Sequence, residues 1–131
     1  MSKKILKFSL IFGLSYFILM SIAHFFSLKY PFLFIYYDTP YYAYQDKIIS
    51  FSVSAYVALF YLALRDYKNI PTLLTILAIT ILGLVYINLS PDLLSVIGLD
   101  HSIIKYWIQT SIISIYVIVL FFLYKRNKAE H

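Results

Sequence analysis

Four stretches of the chain contain no Lys, Arg, Asp or Glu, and every formal charge lies between or outside them. A helix rises about 1.5 Å per residue, so stretches of about 17 to 23 residues extend roughly 26 to 34 Å, matching a hydrocarbon core of about 30 Å. The pattern therefore predicts an all-α membrane protein, a bundle of four transmembrane helices. The uncharged stretches are 8–28, 48–64, 69–91 and 106–124.

Helix start and stop signals extend these stretches into predicted elements. Pro40 and Pro71 stand near the starts of the second and third helices, because Pro suits the first helical turn. Ser90 and Pro91 similarly open a short amphipathic helix in the second outer loop, which Gly98 can end. The second and third helices form an antiparallel hairpin around a tight turn. The predicted transmembrane helices cover about 5–28, 40–65, 70–90 and 101–124.

Composition agrees with a membrane protein. Hydrophobic residues make up 62% of the chain and charged residues 13%, which is too apolar for a soluble domain. We therefore expect residues 1–131 to form a single integral membrane domain, with the first helix retained and not cleaved as a signal peptide. The chain has no Cys, which excludes disulfides, thiol redox relays and Cys-based zinc sites.

Cations are distributed unevenly between the two predicted membrane faces. Three of the 11 lie on the side of the longer loops, at Lys29, Lys47 and Lys105. By the positive-inside rule, the N- and C-termini are both expected to be cytoplasmic, in a multi-pass protein of the cell membrane. Orientation explains the net charge of +5 better than nucleic-acid binding. The other eight cations are Lys3, Lys4, Lys7, Arg65, Lys68, Lys125, Arg126 and Lys128.

The first outer loop is rich in aromatic residues, eight of fifteen over residues 30–44. Tyr has an apolar ring and a hydroxyl that seeks water, so the favoured interpretation is an aromatic belt at headgroup depth. A contact surface for another protein is a further possibility. A third interpretation is a ligand site, in which aromatic rings and carboxylates hold an organic cation. The residues of that site are Tyr37, Asp38, Tyr41, Tyr44 and Asp46, with His24 nearby on the same predicted face.

His24 and the outer carboxylates are the candidates for metal or proton chemistry. They show no recognised ligand spacing, and the adjacent Asp100 and His101 do not share a helix face. The favoured interpretation makes the four outer Asp residues helix caps and leaves His24 hydrogen-bonded at the interface. No metal and no cofactor are therefore expected. The four carboxylates are Asp38, Asp46, Asp92 and Asp100.

Small and hydroxylated residues recur at helical spacing and predict the packing faces, because helices in lipid associate through such residues. Asn88 and Gln109 are expected to face protein or the interface, where their amides find partners. The predicted stripes are Ser9, Gly13, Tyr16, Met20 and His24 in the first helix, Ser50, Ser54, Ala58 and Tyr61 in the second, Thr72, Thr75, Gly83 and Tyr86 in the third, and Tyr106, Thr110 and Ser114 in the fourth.

No charge within the four stretches marks an ion or proton pathway. The sequence therefore favours a non-enzymatic membrane component that oligomerises or serves as an accessory subunit. One alternative is an outward-facing protein that binds or transports a lipid or small organic cation through Asp38, Asp46 and the Tyr-rich loop. A membrane enzyme using His24 and the outer carboxylates is less favoured. The expected partners are the lipid bilayer and a second copy or a larger membrane complex, without nucleic acid.

Overall fold

The computed structural model describes residues 2–28, 42–97 and 102–129, and all regular structure in these ranges is helical. Four helices are long and apolar enough to cross a bilayer, which confirms the predicted all-α membrane protein with four spanning helices. A 3₁₀ turn, Tyr67–Asn69, and one short helix lie in the connections. The helices are α1 Ser2–Phe25, α2 Tyr42–Arg65, α3 Ile70–Leu89, the short α4 Pro91–Ile97 and α5 Ile104–Ala129.

Two helices end at positions that differ from the sequence prediction. The helix α1 stops at Phe25, because Ser27 adopts a left-handed φ of 52° and the Leu28 N–H donates back to the Ala23 carbonyl over 2.8 Å. The helix α5 continues to Ala129, beyond the predicted end at residue 124. Lys and Arg are good helix formers, so the charged tail ends the apolar stretch without ending the helix.

Neighbouring spanning helices run antiparallel and form a ring in the order α1, α2, α3, α5. The contact between α1 and α2 is the most extensive, and the contact between α2 and α3 is the smallest of the four. We call the end of the bundle where α1 begins and α5 finishes the terminal end. The opposite end, where α1 finishes and α5 begins, is the loop end.

An aromatic layer joins α1, α2 and α5 in the middle of the bundle. Phe17 stacks on Tyr56 with ring centroids 4.8 Å apart, and Phe60 lies 5.4 Å from Phe17. Gly13 allows this approach, since a Cβ atom there would collide with Phe60 and with the Tyr116 hydroxyl. The buried core consists of Leu6, Leu10, Phe17, Val53, Phe60, Ala63, Ile70, Leu73, Leu77 and Leu120.

The predicted packing faces of α1 and α5 point into the bundle. Gly13 and His24 are buried, while Tyr16 and Met20 pack against the core. Thr110 is the buried member of the α5 stripe. The sequence prediction is confirmed for these two helices.

The predicted faces of α2 and α3 are wrong, apart from the buried Ser50. Ser54, Ala58 and Gly83 are exposed, and nothing lies within 4 Å of a Cβ atom built on Gly83. Large side chains such as Phe60 take the inward positions instead. Small residues permit close helix approach but do not require it, so residue size alone does not decide which face turns inward. The other exposed members of these stripes are Tyr61, Thr72, Thr75 and Tyr86.

Candidate functional site

A polar cluster lies at the loop end of the interface between α1 and α2. Ser21 and His24 are three residues apart on α1, and Asp46 and Ser50 are four apart on α2, so each pair occupies one helix face. The Ser21 hydroxyl donates to the Ser50 carbonyl oxygen over 3.0 Å, and the two hydroxyl oxygens are 3.3 Å apart. The cluster ties the ends of the two helices together through side chains.

His24 and Asp46 form the chemically distinctive part of this cluster. The Nδ1 atom of His24 lies 3.4 Å from Oδ1 of Asp46, and both residues are only 5% exposed. The second carboxylate oxygen of Asp46, Oδ2, is also buried and accepts no hydrogen bond from the residues that the structure describes. A buried carboxylate oxygen is costly without a partner, so this atom is suited to a proton or a bound cation.

The pair does not form a metal centre with the other described residues. Within residues 2–28, 42–97 and 102–129, no three His, Cys, Asp or Glu side chains converge on one point. A zinc site usually needs three or four protein ligands, and this cluster supplies one imidazole and one carboxylate. Among the described residues, the pair therefore offers a ligand one imidazole and one buried carboxylate.

The structure places the predicted site residues unevenly. It brings His24 and Asp46 together, whereas Tyr44 is 69% exposed and two residues before Asp46, on another side of α2. Tyr37, Asp38 and Tyr41 lie outside the described residues, as do Asp100 and His101.

Asp46 does not have its predicted role as a helix cap. It lies within α2, which begins at Tyr42, and its carboxylate turns toward α1. Asp92 is exposed in the first turn of α4, where the Ser90 hydroxyl accepts from its backbone N–H over 3.1 Å. The hydroxyl of Ser90 also donates to the Asp92 carboxylate over 3.0 Å. The cap of α4 is thus the serine.

Ser21 belongs to the cluster but was predicted neither as a site residue nor as part of a packing stripe, whereas Ser50 was predicted as a packing residue. Its spacing of three residues from His24 is a usable signal, because residues at i and i+3 share a helix face. Thr80 on α3 was missed in the same way, and the Tyr56 hydroxyl hydrogen-bonds its hydroxyl across the α2–α3 interface. Neither contact can be read from one helix alone, because the partner is on another helix.

A second buried polar contact joins α3 and α5 at the loop end. The Asn88 amide donates to the Thr110 hydroxyl over 2.9 Å, and that hydroxyl donates to the Tyr106 carbonyl over 2.9 Å. Gln109 hydrogen-bonds Tyr16 on α1. These contacts confirm the prediction that the amides of Asn88 and Gln109 face protein.

A cavity of about 100 Å³ lies between α1, α3 and α5, beside Gly13, Leu77 and Tyr116. Its exposed lining is apolar. Sites for organic ligands usually measure about 300 Å³ or more, so this space is too small to hold one without rearrangement. The His24–Asp46 pair is therefore a stronger candidate for a functional site than the cavity.

The fold and the polar cluster define a class, that of helical membrane proteins with four spanning helices and a buried imidazole–carboxylate pair between the first two. No family model, curated protein or solved structure matches the chain. The case for function consequently comes from the geometry of the described residues.

Proposed function

We propose that the chain is a multi-pass protein of the cell membrane with both termini in the cytoplasm and α4 lying along the outer surface. The uneven distribution of cations supports the orientation. In α4, Leu93 is 3% exposed while Asp92 and Ser95 are exposed, which supports an amphipathic helix.

The orientation is open to a direct test, because the chain has no Cys and single cysteines can be introduced. A Lys128→Cys variant should react with a membrane-impermeant maleimide only after the cells are opened. A Tyr44→Cys variant should react in intact cells, because Tyr44 is exposed at the loop end. The reverse labelling pattern would reject a cytoplasmic C-terminus.

Within the membrane we propose that the protein is a non-enzymatic component that associates with a second copy or with a larger membrane complex. The observation that carries this proposal is the outward face of α2, where Ser54 and Ala58 are exposed four residues apart. Small residues at this spacing let a second helix approach closely in lipid. The Ser54 hydroxyl on this face is already satisfied, because it donates to the Phe51 carbonyl over 2.6 Å.

Association is measured by photobleaching of single labelled molecules in bilayers across a range of protein-to-lipid ratios. Ala58→Leu should weaken association about tenfold or more, because the added side chain holds the helices apart. Ser111→Leu is the matched control, since it enlarges an exposed small residue on α5. A monomeric wild type at every ratio, or equal losses in both variants, would contradict the proposal.

A second candidate function is the binding or transport of a small organic cation at the loop end. The unpartnered Oδ2 atom of Asp46 favours it, because a positive charge there would satisfy a buried oxygen. In this proposal His24 and Asp46 form the inner part of the site. The sequence prediction adds Tyr37, Asp38 and Tyr41 to this site, and they lie outside the described residues.

Binding of tetraphenylphosphonium to the purified protein tests the cation site. Asp46→Asn should preserve the fold yet abolish binding, since the amide keeps the shape of the carboxylate and loses its charge. Asp92→Asn is the matched control, because Asp92 is an exposed acid at the same end. Unchanged binding in Asp46→Asn would reject this candidate.

A further inference from the structure

A groove with a strongly positive lining lies at the terminal end of the bundle. It runs between the first turns of α1 and the turn that joins α2 to α3, and its volume is about 740 Å³. This volume lies in the range of sites for organic ligands, about 300 to 1,000 Å³. The groove is lined by Lys3, Lys4, Lys7, Leu64, Arg65, Asp66 and Tyr67.

The charges of the groove are not neutralised within the described part of the chain. Four of the lining residues are cations and one, Asp66, is an acid. The Asp66 carboxylate already accepts a hydrogen bond of 3.0 Å from the Lys68 backbone N–H, which caps the 3₁₀ turn. The described ranges contain one side-chain ion pair, His24–Asp46 at the other end of the bundle. The four groove cations therefore face solvent with a net charge of about +3.

Arg65 is held in position without losing its charge. Its Nη1 atom donates to the Tyr61 hydroxyl over 3.3 Å, and its guanidinium carbon lies 5.9 Å from the centroid of the Tyr61 ring. Both contacts orient the guanidinium without placing a negative charge beside it. A guanidinium can donate two parallel hydrogen bonds to a phosphate, which makes Arg65 the directional member of the groove.

We propose that this groove binds the head group of an anionic phospholipid that carries two phosphates. Cations stand on both walls, three on α1 and Arg65 on α2, so two phosphates can be held at once. Basic clefts between spanning helices are suited to such head groups.

The neighbouring surface of α1 favours a lipid over a soluble phosphate. Ile5 and Phe8 are 46% and 71% exposed, and Phe8 is four residues after Lys4 on the same helix face. Acyl chains can lie on this apolar face while the head group occupies the groove.

Membrane orientation alone requires cations at this end but does not require them to line a groove. Lys125 and Lys128 on α5 are exposed at the same end and are not among the lining residues. They provide a matched control, because their replacement removes the same charge from the same end of the bundle.

The test measures lipid binding to the purified full chain by native mass spectrometry, with cardiolipin, phosphatidylglycerol and phosphatidylcholine as probes. Cardiolipin has two phosphates, phosphatidylglycerol has one, and phosphatidylcholine has no net charge. We expect affinity to fall in that order. Each cation should raise the affinity for cardiolipin about fivefold, so Lys4→Gln/Arg65→Gln should lower that affinity roughly 25-fold. Lys125→Gln/Lys128→Gln should weaken it less than about threefold if those cations act only at a distance.

Equal losses of cardiolipin affinity in the two double variants would overturn the proposed site, since binding would then depend on the overall charge of this end. Cardiolipin affinity no higher than that of phosphatidylglycerol would overturn the assignment of two phosphates. Displacement of cardiolipin by an equal concentration of pyrophosphate would overturn a lipid ligand in favour of a soluble one. Circular dichroism checks the fold. If the double variant misfolds, Lys4→Gln and Arg65→Gln are measured singly, and each should lower cardiolipin affinity about fivefold.

Discussion

The α1–α2 and α2–α3 interfaces share a helix yet differ sharply in how they pack. Along α1 and α2, Gly13 admits the Phe60 ring, Phe17 stacks on Tyr56, and buried polar groups close the loop end. The contact between α2 and α3 is the least extensive in the ring, although only a short turn joins the two helices. Closeness in sequence thus brings helices side by side without making them pack tightly.

The difference follows from what each interface offers in a bilayer. Lipid tails compete with apolar side chains, so tight packing needs a recess that matches a projecting side chain or a polar group that needs a partner. The α1–α2 interface has both features. The α2–α3 interface has the hydrogen bond between Tyr56 and Thr80, while the small residues Ser54, Ala58 and Gly83 face outward.

Substitutions at the buried Gly13 and the exposed Gly83 should differ most in their effect on stability. Gly13→Leu should lower the free energy of unfolding by about 3 kcal/mol, because the new side chain collides with Phe60 and Tyr116. Unfolding by SDS in mixed micelles measures it. Gly83→Leu is the control and should cost nothing, since the space around Gly83 is empty and Leu favours the helix more than Gly. Equal losses at both positions would mean that α1 does not pack on α2 and α5 through Gly13.

Breaking the buried imidazole–carboxylate pair should have the next largest effect. His24→Ala leaves the Asp46 carboxylate buried without its described partner, which should cost about 2 kcal/mol. The matched double-mutant cycle adds Asp46→Ala alone and both changes together. We expect a coupling free energy of about 1 kcal/mol. Strict additivity would show that the two side chains do not interact.

The α2–α3 interface should respond weakly to the loss of its mid-membrane hydrogen bond. Tyr56→Phe should cost about 0.6 kcal/mol, the usual value for side-chain hydrogen bonds between membrane helices. Thr80 retains its own hydrogen bond of 2.9 Å to the Ile76 carbonyl, so no hydroxyl is left without a partner. Tyr86→Phe is the control, because Tyr86 is a 72% exposed residue of α3. A loss above about 2 kcal/mol for Tyr56→Phe would make this interface as important as the first.

The sequence was sufficient to predict the spanning helices, because the absence of charge over a bilayer thickness is a local property of the chain. It was also sufficient for the inward face of α1. It was insufficient for α2 and α3, where Ser54, Ala58 and Gly83 face outward and Phe60 faces inward. A small residue suits either a helix within the bundle or a second protein, so the inward face also depends on the surfaces of the neighbouring helices.

The candidate site was predictable only in part, for a related reason. Charge and position placed His24 and Asp46 at the same membrane face. Their direct contact depends on the rotation of α1 against α2, which neither helix encodes alone. The partnership of Ser21 with Ser50 depends on the same rotation. Sequence spacing therefore revealed candidates on each helix but not the pairs between helices.

The packing of α1 against α2 is tested most directly by paired cysteines in this Cys-free chain. The Ser21 and Ser50 hydroxyl oxygens are 3.3 Å apart, so Ser21→Cys/Ser50→Cys should form a disulfide within one chain under mild oxidation. Counting unreacted thiols by alkylation and mass spectrometry measures the yield. Ser21→Cys/Ser52→Cys is the control and should keep its thiols, because Ser52 is exposed and two residues further along α2. The described α1–α2 interface would be contradicted if Ser21→Cys/Ser52→Cys formed the disulfide while Ser21→Cys/Ser50→Cys kept its thiols.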